Sequence, residues 1–124
     1  MPFRLIAARE LGHLFGVLSH PDRIRIVEEL GGGELDVGTL QERLEVPHSR
    51  VSQHLSLMRA ARLVEERRQG RQVFYHLSSP ELSAWILEGL RFVDADPSST
   101  RDLQDAVRAA RDAWGPERRR KERA

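Results

Sequence analysis

Residues 47–58, Pro-His-Ser-Arg-Val-Ser-Gln-His-Leu-Ser-Leu-Met, constrain the fold of this chain more than any other segment. At about 100° per residue, Leu55 and Met58 fall within about 40° of Val51 on one side of a helix. The opposite side carries short polar residues together with Arg50 and Gln53. Arginine can pair bidentately with guanine and glutamine with adenine, and short neighbours let a helix enter the major groove of DNA. The segment therefore predicts a helix that packs with one face and reads base edges with the other.

The residues before this helix predict three further helices. Leu11, Leu14, Phe15 and Leu18 follow the spacing i, i+3, i+4, i+7, which indicates a helix over 3–18. Ser19, as a cap, and Pro21 indicate that a second helix follows, and Gly31-Gly32-Gly33 ends it. A third helix begins after a cap near Asp36 and reaches Leu44, and the turn at 46–48 separates it from the fourth helix at 48–62. The last two form a helix-turn-helix.

After Leu63 the hydrophobic period becomes strand-like. Residues 63–68 and 71–77 predict a β-hairpin, because Gly70 supplies the positive φ of a tight turn and the second arm is rich in β-branched and aromatic residues. Arg67, Arg68 and Arg71 are expected at its tip, as a basic wing beside the reading helix. The predicted fold is mainly α with a small β-hairpin (α+β), a winged helix-turn-helix.

Two more helices complete the predicted domain. One opens at Ser79-Pro80 and runs through Val93, and an extra C-terminal helix runs from about Ser99 to Trp114. The apolar stripes of the first and fifth helices exceed what one small core can bury, which predicts a homodimer. The expected interface residues are Leu11, Leu14, Phe15, Trp85, Ile86 and Leu90. Residues 1–115 are expected to form one domain, and 116–124 a flexible charged tail.

The candidate contacts with double-stranded DNA come from the reading helix and the wing. They are His48, Ser49, Arg50, Ser52, Gln53, His54, Ser56, Arg67, Arg68 and Arg71. Several have a second interpretation: Ser49 and Ser52 could serve only as caps, and His48 could cap or face solvent. His54 could lie near a phosphate or be a polar packing residue. Trp85 could line a ligand pocket, although core or interface packing is the commoner role of an aromatic in an apolar stripe.

Composition narrows the class of protein. The chain has 124 residues, 40% of them hydrophobic and 31% charged, which is ordinary for one soluble domain. No apolar run of membrane-spanning length and no export signal is visible, so a cytoplasmic location is expected. Nineteen arginines against one lysine suit bidentate contacts with phosphate and guanine. No nucleophile and base pair, phosphate-binding glycine loop or paired carboxylate is discernible, so the chain is predicted not to be an enzyme.

Three segments in this order carry a family resemblance. They are Leu18-Ser19-His20-Pro21-Asp22-Arg23-Ile24-Arg25-Ile26, Val51-Ser52-Gln53-His54-Leu55 and Gly70-Arg71-Gln72-Val73-Phe74-Tyr75. Over about residues 10–93 the chain resembles the ArsR/SmtB family of bacterial winged-helix repressors. The resemblance implies a homodimer built from the first and fifth helices, which binds an inverted repeat in an operator and releases it on sensing a signal.

The metal sites of that family are not matched. Where some members have Cys-Val-Cys at the third helix, this chain has Asp36-Val37-Gly38, and it contains no cysteine. At the positions of the fifth-helix site it has Ser79, Glu81, Phe92 and Ala95, of which only Glu81 is a plausible ligand. We therefore expect no metal and no cofactor. The leading hypothesis is a metal-independent repressor. The alternatives are a winged-helix protein-interaction module, or a repressor controlled by a small organic ligand or a partner protein.

Overall fold

The computed structural model describes residues 2–93 and 97–115, in which it has six helices and three strands. The elements are α1 (Pro2–Leu18), α2 (Pro21–Leu30), β1 (Leu35–Asp36), α3 (Val37–Leu44), α4 (His48–Ala60), β2 (Val64–Gln69), β3 (Gln72–Leu77), α5 (Glu81–Val93) and α6 (Arg101–Trp114). The predicted order of the six helices and the two hairpin strands is confirmed. The predicted tail at 116–124 and Ala95 lie outside the described residues.

The start of α2 differs from the prediction in its cap. His20 is the N-cap, and its Nδ1 accepts a hydrogen bond of 3.0 Å from the backbone N–H of Asp22. Ser19 was expected there, but its hydroxyl donates to the carbonyl of Gly16 at 2.8 Å and so satisfies the end of α1. Because Pro21 is the first residue of the helix, the residue just before it is the one placed to cap.

The helix-turn-helix forms as predicted. α3 ends at Leu44, and Glu45 adopts a left-handed conformation with φ of 57° that reverses the chain. Pro47 then precedes the first residue of α4. α4 ends at Ala60, two residues earlier than expected, and Arg62 follows with φ of 63°.

The wing is an antiparallel hairpin with an additional strand. β2 pairs with β3, and the two-residue turn at Gly70-Arg71 has φ of 61° at the glycine. β1 adds to the other edge of β3, with Leu35 opposite Tyr75 and Asp36 opposite Phe74, which gives the order β1-β3-β2. β1 was not predicted, because a strand of two residues has no periodicity to detect.

One hydrophobic core lies among α2, α3, α4 and the sheet. Its fully buried members include Ile26, Leu40, Val51, Leu55 and Met58, each 0% exposed. The first turns of α1, by contrast, expose nearly all of their side chains. Among the described residues, none of the helices combines the length and hydropathy that a membrane span needs.

Candidate nucleic-acid interface

The two faces of α4 separate as the spacing predicts. Val51, Leu55 and Met58 are fully buried against the core. The opposite side is open to solvent, with five exposed polar side chains: His48, Ser49, Arg50, Gln53 and Ser56. Ser52 is half-buried at the edge of this surface, and its hydroxyl lies 3.5 Å from Nδ1 of His48. We call these five exposed residues the reading face.

His54 does not belong to the reading face. Its side chain is buried, with 8% of the residue exposed, and it points towards the start of α2. Nδ1 lies 3.3 Å from Nη1 of Arg23, and Nε2 lies 3.3 Å from Oδ2 of Asp22. The ring centroid is 4.4 Å from that of His20. This placement corrects the expected DNA contact and agrees with the packing alternative. The helical wheel contained the signal, because His54 lies about 60° from Val51, beside the apolar stripe.

Arg67 is also placed differently from the prediction. It lies opposite Phe74 within the hairpin, not at its tip, and its guanidinium stands 4.9 Å from the centre of that ring. The carboxylate of Glu34 accepts hydrogen bonds from Nε of Arg67 at 3.0 and 3.1 Å, and a further one from Nη2. This pairing lowers the pKa of Glu34 and raises that of Arg67. The predicted phosphate contact is thus engaged within the chain in this structure.

Arg68 and Arg71 remain exposed, and the fold brings them to the reading helix. A cleft of about 390 Å³ lies between α4 and the wing. His48 and Ser52 line its helical side, and Arg68, Arg71 and Gln72 line the side of the wing. Gln72 was not predicted as a functional residue, although its place after the turn beside Arg71 was a signal for it. The cleft shows that both groups of candidate contacts border one surface.

A second surface is formed by α1 and α5. The rings of Phe15 and Trp85 stack with centroids 5.8 Å apart, although these residues are 51% and 47% exposed. They border an apolar cleft of about 470 Å³, which Phe92, 75% exposed, also lines. Within the expected interface, Leu14 and Ile86 instead pack partly against the chain's own core.

Other exposed apolar residues lie on α1 outside the predicted set. At the start of α1, Phe3 is 77% exposed and Ile6 is 55% exposed. Both were missed, because the predicted stripe began only at Leu11. Like Phe15 and Trp85, they are large apolar side chains that the single chain leaves uncovered.

The positions of the family's metal ligands are occupied by residues that do not form a metal site. Asp36 is the N-cap position of α3, and a hydrogen bond from the hydroxyl of Thr39 lowers the pKa of its carboxyl group. Ser79, Glu81 and Phe92 are exposed, and only Glu81 offers an oxygen that suits a metal.

One other group in the described residues has ligand atoms close together, within 4.8 Å: His20, Asp22 and His54. It fits a metal poorly. Nδ1 of His20 already accepts the N–H of Asp22, and Nδ1 of His54 faces an arginine, which can only donate. In the neutral rings both Nε2 atoms therefore carry the proton, and a cation would have to displace these contacts and lie beside the Arg23 guanidinium.

Comparisons with known proteins agree with this geometry. Residues 18–67 match the family model described as a helix-turn-helix domain. The biofilm growth-associated repressor of Agrobacterium fabrum is 33% identical over 90 residues, which cover 73% of this chain and 76% of that protein. The chain belongs to the ArsR/SmtB family of winged helix-turn-helix regulators.

Solved structures of relatives share the fold. Reduced HlyU from Vibrio cholerae has a TM-score of 0.66 at 33% identity, covering 77% of this chain and all of that one. The repressor BigR from Xylella fastidiosa has a TM-score of 0.62 at 29% identity, covering 80% of this chain and 97% of that one. The 124 residues of this ArsR/SmtB member contain no cysteine.

We expect added zinc, nickel or arsenite to leave the affinity of this ArsR/SmtB member for its operator essentially unchanged. The family's metal ligands are replaced in this chain. In addition, Nδ1 of His20 accepts the N–H of Asp22, and Nδ1 of His54 faces the guanidinium of Arg23. The measurement is fluorescence anisotropy of a labelled operator during metal titration. A stoichiometric loss of affinity of about tenfold, roughly 1.4 kcal/mol, would contradict the prediction and direct attention to the His20, Asp22 and His54 group.

Proposed function

We propose that the chain is a homodimeric transcriptional repressor that binds a pseudo-palindromic operator in double-stranded DNA. The observation that carries the proposal is the division of α4 into a fully buried apolar face and an exposed reading face. A helix whose apolar face packs in the core and whose polar face is exposed to solvent can enter the major groove without disturbing the fold. Such a regulator works in the cytoplasm of a bacterial cell and has no catalytic role.

The side chains divide into two kinds of contact. Ser49, Arg50, Gln53 and Ser56 project from the exposed side of α4 and would contact base edges. Arg68 and Arg71 on the wing would contact phosphates, which position the protein without specifying sequence. His48 and Ser52, at the border of the cleft, would contact either the backbone or a flanking base. His54 and Arg67 are engaged by other residues of the chain and are not proposed as contacts.

The surface of α1 and α5 is the proposed dimer interface. Phe15 and Trp85 are too exposed to be core residues, yet they stack on each other and lie in an apolar surround. A two-fold axis through this surface would place two reading helices in successive major grooves, about 34–36 Å apart. Specificity would then come from two half-sites in inverted orientation.

Three alternatives have narrower support. The names of the relatives include a repressor and, for HlyU of V. cholerae, a transcriptional activator, so the direction of regulation has to be measured. The apolar cleft beside Trp85 has the dimensions of a small organic ligand, and such an effector would compete with dimer packing there. A purely protein-binding module is less well supported, because Arg68 and Arg71 stand exposed on the wing beside the reading face.

The proposal is tested by footprinting on the DNA upstream of the protein's own gene. We expect protection of an inverted repeat with half-sites one helical turn apart. The dissociation constant for this repeat should be lower than that for scrambled DNA by a factor of about 10³ or more. Equal affinity for both DNAs, or no binding to either at physiological salt, would contradict the proposed function. A reporter gene behind the protected site would show whether occupancy represses or activates transcription.

A further inference from the structure

One arginine joins three helices of the domain. Arg23 lies in the first turn of α2, and its Nε donates a hydrogen bond to the carbonyl of Val17 at the end of α1. Its Nη1 lies 3.3 Å from Nδ1 of His54 on α4. The side chain therefore connects the helix proposed for dimerisation with the helix proposed to read DNA. We call Arg23, His54 and their neighbours His20 and Asp22 the junction.

The junction requires a neutral His54. Arginine has no acceptor atom, so the hydrogen bond from Arg23 requires an unprotonated Nδ1 on the histidine and leaves the ring proton on Nε2. Nε2 faces Oδ2 of Asp22 at 3.3 Å, and the second imidazole, of His20, stands against the ring at a tilt of 54°. A proton added at Nδ1 would place an N–H group against the N–H groups of the guanidinium, and this hydrogen bond would break.

We propose that the hydrogen bond between Arg23 and His54 positions the reading helix relative to α1, and that protonation of His54 releases it and weakens binding to the operator. Burial of the ring supports this proposal by disfavouring the charged form, since the residue is 8% exposed. The inference rests on the proposed function for its DNA readout, but the release of α4 can be observed in the protein alone.

The direction of the pH effect follows from the groups that face the ring. Burial lowers the pKa of His54 below the usual 6.5, His20 and Arg23 act in the same direction, and Asp22 opposes them. Because the folded-state pKa is below the unfolded one, the stability contributed by the neutral ring is complete above about pH 6.5. It is lost as the pH falls through the folded-state pKa.

The experiment compares operator affinity at pH 7.5 and pH 5.5 in three forms of the protein. We expect the wild-type protein to lose affinity by about tenfold or more on acidification. His54→Gln, which keeps an amide donor towards Asp22 but cannot titrate, should lose less than threefold. His13→Gln, which removes an exposed histidine of α1, should lose affinity as the wild type does. Equal pH ratios in the wild type and His54→Gln would overturn the proposal.

A second measurement separates positioning from simple loss of folding. Amide hydrogen exchange of the free wild-type protein at the two pH values, corrected for intrinsic rates, should show α4 losing protection on acidification while α3 keeps it. Arg23→Gln should show the less protected α4 already at pH 7.5. Unchanged exchange in α4 would overturn the proposal even if the operator is bound. If α4 loses protection on acidification but no DNA is bound at either pH, the proposed role of the junction is supported and the proposed function is contradicted.

Discussion

Phe15→Asp is expected to convert the proposed dimer to a monomer and to lower operator affinity by a factor of about 100 or more. Phe15 is 51% exposed in the single chain and stacks with Trp85, so a carboxylate there would be buried unpaired on association. Each half-site would then be bound singly, without the high effective concentration that a second linked subunit provides. Sedimentation equilibrium at micromolar concentration and anisotropy with the operator measure the two effects.

Leu103→Asp is the matched control for that variant. Leu103 is an apolar residue on α6, 37% exposed, and lies outside the proposed interface. The same charge at this position should leave the dimer and its affinity for DNA close to those of the wild type. A dimer that persists in Phe15→Asp would show that the interface lies elsewhere, and a monomeric wild type would remove the proposed symmetry altogether.

The reading and positioning roles are expected to separate by mutation. Arg50→Ala or Gln53→Ala should cost about 1–3 kcal/mol per subunit on the operator and much less on random DNA, because alanine cannot hydrogen-bond to a base edge. Arg68→Ala or Arg71→Ala should weaken both DNAs similarly. Each should also reduce the slope of log affinity against log salt by about one for each phosphate that is no longer neutralised.

Anisotropy with operator and scrambled duplexes at several salt concentrations distinguishes these patterns. Operator selectivity that survives both substitutions on α4 would mean that residues 48–56 do not read the sequence. A protein-interaction module would then be the better account of this fold.

Local patterns predicted most of this architecture, and the two corrected DNA contacts, Arg67 and His54, involve partners distant in sequence. The buried stripe of Val51, Leu55 and Met58 follows from helical spacing alone. Arg67 could not be placed from its neighbours, because the carboxylate that binds it belongs to Glu34, 33 residues earlier. For His54 the wheel indicated the buried side, but its partners Asp22 and Arg23 come from another helix.

The two-residue strand β1 has a consequence for how regulation can operate. It ends at Asp36, the N-cap position of α3, and it is hydrogen-bonded to β3 in the centre of the wing. The hairpin is therefore attached to the first residue of the helix-turn-helix and cannot swing freely as an independent arm. The wing therefore keeps its position relative to α3, and in the proposed dimer an effector would act by changing the orientation of the two subunits, or the position of α4 within each subunit, and not by moving the wing alone.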